Sequence, residues 1–203
     1  MSDLIEVRPD ERFDVDALTR WLETAEGLPS GAPEVAQFAG GKANLTYLLM
    51  FPGDKELVLR RPPLGPVASG AHDMGREYRV LSRLWAAFDK APRAVAYCED
   101  DRVIGSPFFI MERRDGVVVR GVIPQIFGAG SDPTATRKLS EVVIDTLVEL
   151  HAVDPASCGL GDLGHPEGFL ARQVEGWRGR WEKAKHEDNP LATELGQWLE
   201  DHL

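Results

Sequence analysis

Apolar residues recur at helical spacing in some stretches of the chain and at alternate or near-continuous positions in others. Leu18, Trp21, Leu22 and Ala25 form a stripe on one helix face. Asp14 stands where an N-cap belongs, Phe13 and Leu18 fit a hydrophobic staple, and Gly27 ends the run, so the spacing predicts a helix from about 14 to 27. Leu28 to Pro33 is a Pro/Gly/Ser connector. Strand patterns follow at 34–38, 45–51 and 56–61, with Gly40-Gly41 and Pro52-Gly53-Asp54 as the turns of an antiparallel meander.

Residues 62–73 carry prolines and glycines and read as a loop. Tyr78, Leu81, Leu84, Trp85 and Phe88 then set a helix from about Met74 to Phe88. Two further strands are expected near 94–99 and 107–112, joined through Asp100-Asp101. Beyond Gly116 the pattern changes. A mixed stretch, 117–133, leads into an amphipathic helix, 134–151, with Leu139, Val142, Val143, Leu147 and Leu150 expected inward. The last fifty or so residues read as helical, with Trp177, Trp181 and Trp198 expected in a core and a break near Asn189-Pro190. The class is α+β. An antiparallel-sheet lobe over 1–113 is followed by a helical lobe over 114–203, hinged near 112–116.

At 203 residues and 43% hydrophobic content the chain can bury a core. The net charge of −10 is spread along both halves and argues against a nucleic-acid or anionic-membrane surface, which needs clustered Lys and Arg. Cys98 and Cys158 show no metal spacing, no apolar run reaches membrane-span length, and Met1–Arg8 has no leader-like pattern. A cytoplasmic protein with two free thiols is expected.

Gly40 and Gly41 allow close backbone approach to a ligand, although a Gly-Gly between strands is also simply a hairpin turn. In strand 56–61, Val58 and Arg60 share one face while Leu57, Leu59 and Arg61 share the other. A cation on a half-buried face is costly unless paired. Glu77 has the mirror problem, since it lies on the stripe of Leu81, Leu84, Trp85 and Phe88. Two opposite charges on apolar faces are best explained by each other, so an Arg60–Glu77 ion pair is expected.

These stretches together resemble a known family. Phe38-Ala-Gly-Gly-Lys-Ala-Asn-Leu-Thr-Tyr, Val58-Leu59-Arg60-Arg61-Pro62-Pro63, the helix around Arg76-Glu77-Tyr78, and Pro107-Phe108-Phe109-Ile110-Met111-Glu112 look like the N-terminal lobe of the aminoglycoside phosphotransferase family. Leu147 to Pro155 is similar to a helix of its C-lobe and the turn that follows. The branch resembled is the one similar to the kinase-like domain joined to some acyl-CoA dehydrogenases. The resemblance implies a protein-kinase-like fold, ATP and magnesium as cofactors, and a small-molecule hydroxyl as acceptor, on a metabolite or an acyl thioester as readily as on an antibiotic. Gly40 and Gly41 would lie over the phosphates with Asn44 beside the turn. Arg60 would replace the usual strand lysine and Glu77 would orient it, with Arg61 a competing assignment. Met111 would border the adenine, and backbone groups of Glu112 and Arg114 would meet its hydrogen-bonding edge.

The family's catalytic Asp sits in a His-Gly-Asp loop followed by an Asn, with a further Asp for the metal. These 203 residues contain no His-Gly-Asp. His151–Asp154 with Asp162-Leu163-Gly164, and His186–Asn189, mimic the pattern at the wrong spacing and read as helix-end chemistry. The catalytic and metal residues are expected beyond residue 203, and the chain alone is expected to be inactive. Two other readings remain open: a non-catalytic nucleotide-binding or interaction module, and an unrelated α+β domain.

Overall fold

A computed structural model describes residues 4–40, 43–65, 72–119 and 121–203. The described chain divides into two compact units, one through Leu160 and one from Gly161.

The first unit is built on a sheet of six antiparallel strands in the order β1-β2-β3-β4-β6-β5. These are β1 (Leu4–Ile5), β2 (Glu34–Phe38), β3 (Leu45–Phe51), β4 (Lys55–Arg61), β5 (Ala94–Cys98) and β6 (Phe108–Glu112). The three-strand meander and the later pair fall where the alternation puts them. Gly53 and Asp54 close the β3–β4 turn at φ 80° and 59°, a region open to glycine and tolerated by Asp. The short β1 was not expected. It pairs only Leu4 with Phe38 and Ile5 with Gln37, too few residues to show a period.

Helix α1 (Val15–Leu22) packs on one sheet face and α2 (Met74–Leu84) on the other. Both are capped by aspartate. Asp14 accepts from Ala17 N at 2.9 Å and Asp73 from Arg76 N at 2.9 Å, each satisfying a third-position donor. Both helices stop short of the predicted ends. After Leu22 the backbone tightens to i→i+3 bonds, Thr24 N to Trp21 O and Ala25 N to Leu22 O. After Leu84 the same happens through Ala86 N to Arg83 O and Ala87 N to Leu84 O, before Phe88 N closes one i→i+4 bond to Leu84 O. Trp85 and Phe88 keep helical spacing but meet cations instead, with Arg93 over Trp85 at 4.7 Å and Lys90 over Phe88 at 5.6 Å.

The α1 face carries the larger core: Leu18, Leu22, Leu45, Tyr47, Leu49, Phe51, Leu59, Phe108 and Ile110. On the α2 face Met74, Ala94 and Phe109 pack with Tyr78, Leu81, Tyr97 and Met111. Tyr78 stacks on Tyr97 with centroids 5.4 Å apart.

Past β6 the first unit continues through a 3-10 run at Gln125–Gly130 to α3 (Pro133–His151). The second unit holds α4 (Phe169–Ala184) and α5 (Pro190–Asp201), broken between them as expected. The expected inward stripe of α3 is a correction. Val142, Val143, Leu147 and Leu150 are all exposed, because helix packing is what buries a stripe and, among the described residues, α3 packs chiefly on the short 3-10 run before it. Trp177, Trp181 and Trp198 are likewise exposed rather than in a core. Trp177 lies under Arg180 at 4.6 Å and Trp198 stacks on His202.

Candidate functional site

Strand register gathers the site on the α2 face of the sheet. Thr46, Arg60 and Phe109 are cross-strand partners in one row, and Leu48, Val58 and Met111 in the next. Cross-strand partners share a face, so the two rows lie side by side, a two-residue step of some 7 Å apart. The row holding Val58 and Met111 lines a cavity of about 200 Å³ with Phe38, Thr46, Pro92 and residues 112–114. The row holding Arg60 opens a charged cluster beside it.

Arg60 Nε donates to Glu77 Oε2 at 2.8 Å, with both side chains about one-third exposed. The expected ion pair is present. Among the described residues the two terminal nitrogens of Arg60 make no hydrogen bond, which leaves paired donors on a fixed cation next to an apolar slot. Glu77 spends its other oxygen on Asn44, whose Nδ2 donates at 2.8 Å. Asn44 is buried in turn and meets His72 Nδ1 at 2.5 Å through its own Oδ1.

Arg61 goes the other way. It is 1% exposed on the α1 face, where Nε and Nη2 both donate to the Tyr47 phenol oxygen, Nη2 to Glu11 O at 2.7 Å and Nη1 to Ile104 O at 3.2 Å. Its guanidinium also lies 5.2 Å from the ring centres of Phe13 and Tyr47. Burial pushes the Tyr47 phenol up against the opposing pull of Arg61, so it stays protonated and donates to Glu11 O. Arg61 thus leaves the opposite face of the sheet, and of the two only Arg60 shares the face of the cavity, across from Thr46, which lines it.

Gly40 is exposed in the turn after β2, while Gly41 lies outside the described residues. Arg8 braces the root of this turn, donating from Nη2 to Ala39 O and from Nη1 to Glu11. Met111 faces both the cavity and the α2 cluster. Glu112 and Arg114 fix the segment after β6. Glu112 N donates to Arg93 O, its carboxylate accepts from Arg93 N, and Arg114 Nη2 donates to Asp89 O and Ala91 O.

The mimicking segments are capping groups. Asp154 accepts from Ala156 N at 3.0 Å and Asn189 from Ala192 N at 3.3 Å. No group of three or more His, Cys, Asp or Glu able to hold a metal occurs among the described residues. No helix of the described residues is long and apolar enough to cross a membrane. His72 and Arg8 were missed from the sequence. His72 stands in an aperiodic loop and Arg8 ahead of the first element the spacing predicts, so no pattern marks either.

Residues 34–203 match the model of the phosphotransferase enzyme family. Acyl-CoA dehydrogenase family member 11 of Gallus gallus is 36% identical over 98% of this chain, and that of Homo sapiens is 32% identical over all of it. The chain spans about a quarter of the length of these curated relatives, 25% and 26%. The crystal structure of a "putative aminoglycoside phosphotransferase" from Ralstonia eutropha JMP134 superposes with a TM-score of 0.73 at 31% identity. It covers 95% of this chain, which corresponds to 54% of that one.

Proposed function

The chain belongs to the phosphotransferase enzyme family, and on that premise we propose that its first 113 residues form the nucleotide-holding wall of an ATP-dependent phosphotransferase acting on a small-molecule hydroxyl. The observation that carries this is Arg60. Its Nε is held by Glu77, and its two terminal nitrogens make no protein hydrogen bond among the described residues, beside an apolar cavity on the same sheet face. A planar base suits a slot walled by Phe38, Val58 and Met111. The anionic end of a nucleotide suits a cation whose direction is fixed in advance, because charge-assisted hydrogen bonds are the stronger ones and a pre-set donor loses little freedom on binding. Gly40 and Gly41 would close over that end, and Glu112 and Arg114 would offer backbone groups to the base.

When bound, ATP supplies the phosphoryl group. This chain's residues bind and orient it. The family's His-Gly-Asp is absent from these 203 residues, so transfer is expected to need residues other than these, and a purely nucleotide-binding role is the second reading. The relatives' names make an acyl thioester bearing a hydroxyl one acceptor to test.

The experiment is calorimetric titration of the folded chain with ATP, ADP and adenosine. Arg60→Ala and Glu77→Ala should each weaken ATP about tenfold, equivalent to ~1.4 kcal/mol, and leave adenosine unchanged. A folded chain that takes up none of the three would end the nucleotide reading.

A further inference from the structure

His72 directly precedes Asp73, the cap of α2, and its backbone is left-handed at φ 57°. A residue other than glycine stays there only when its surroundings hold it, and such strain collects at working sites. His72 Nδ1 lies 2.5 Å from Asn44 Oδ1. The Glu77 carboxylate can only accept, so Asn44 must turn its nitrogen to Glu77 and its oxygen to His72. Nδ1 therefore carries the proton. The remaining Glu77 oxygen binds Arg60 Nε. His72, Asn44, Glu77 and Arg60 form one directed line of hydrogen bonds, from the loop before α2 to the cation beside the cavity.

We infer that His72 is a positioning residue for the phosphate end of the nucleotide. By fixing Asn44 it locks the Glu77 carboxylate, and with it the direction in which Arg60 presents its terminal nitrogens. The role rests on the nucleotide reading given above. Asn44 is 5% exposed with His72 in place, and without that side chain its carbonyl oxygen loses its hydrogen-bond partner. The amide then gains from rotating, which sets its oxygen against the Glu77 carboxylate and loosens the pair with Arg60.

Three substitutions separate the side chain from the backbone. His72→Gly keeps the left-handed conformation and removes the donor. His72→Asn tolerates that conformation and places Nδ2 one bond beyond Cγ, where Nδ1 stands. His72→Gln carries its amide one carbon too far. In calorimetric titrations His72→Gly and His72→Gln should bind ATP roughly five- to tenfold more weakly, the effect of about one hydrogen bond, with adenosine unaffected, and His72→Asn should return to within about twofold of the parent chain. The role is overturned if His72→Gly binds ATP like the parent. It is equally overturned if ATP and adenosine weaken together, as a general structural defect would cause, or if His72→Asn fails to restore binding. A folded parent chain that ignores ATP removes the nucleotide reading and this role with it. A parent that binds, with an indifferent His72→Gly, removes this role alone.

Discussion

Arg60 and Arg61 are neighbours in β4 whose side chains leave opposite faces of the sheet, one paired with a carboxylate and one-third exposed, the other 1% exposed and held by neutral oxygens. The strand's two-residue period makes this split unavoidable. It gives two chemically identical side chains opposite duties, and their deletions should separate cleanly.

Arg61→Ala should cost about 3 kcal/mol, because it empties a closed core, strands the Ile104 carbonyl and leaves the Tyr47 hydroxyl and the Glu11 carbonyl with only each other. Arg61→Lys should recover little of it, since an ammonium cannot reproduce the fork. Arg60→Ala should cost less than about 1 kcal/mol, as expected of a pair open to solvent. Urea unfolding of the three variants decides the matter, and equal midpoints for Arg60→Ala and Arg61→Ala would contradict it.

Acid sensitivity should trace in part to Glu11. The hydrogen bond from Gln37 holds its carboxyl below the ordinary 4.5; partial burial opposes this, and Arg8 adds to the lowering. The folded value lies below the unfolded one, so the stabilisation is full above the unfolded value and disappears as pH falls through the folded one. Between pH 7 and pH 3 the parent chain should therefore lose more urea stability than Glu11→Gln. A variant that loses as much as the parent would remove Glu11 from the account.

The two thiols should differ. Cys98 is 3% exposed and burial pushes its thiol up, whereas Cys158 is half-buried. Reaction with a thiol reagent at neutral pH should modify Cys158 quickly and Cys98 only on unfolding. Peptide mapping after a short exposure reads the order directly.

Removing either capping carboxylate should cost about 1 kcal/mol, seen as a lower melting temperature for Asp14→Ala and for Asp73→Ala. Asp14 stands directly before an apolar stripe, which is why the start of α1 was legible, whereas the start of α2 was read from its stripe alone. The helix ends were not legible. Ala25, Trp85 and Phe88 continue the spacing past the last regular helical turn, and spacing alone cannot tell a helix from the turn that follows it. The Arg60–Glu77 pair could be read because each charge sat on an apolar face and needed the other. The choice between Arg60 and Arg61 could not, because it depends on which face carries Glu77, a consequence of where α1 and α2 dock. The α3 stripe was read correctly as apolar and wrongly as covered, since periodicity reports what a face is made of and not what lies against it. His72 left no trace in the sequence because its role comes from a backbone angle and one contact to Asn44, 28 residues away.

Met111 forms part of the cavity wall and also packs in the cluster that seats α2. Occupancy of the slot and firmness of the helix are therefore thermodynamically linked through one flexible side chain. A compound that fills only the apolar slot, without reaching Arg60, should still slow amide exchange along α2, and a loosened α2 should in turn be felt as a softer floor under the base.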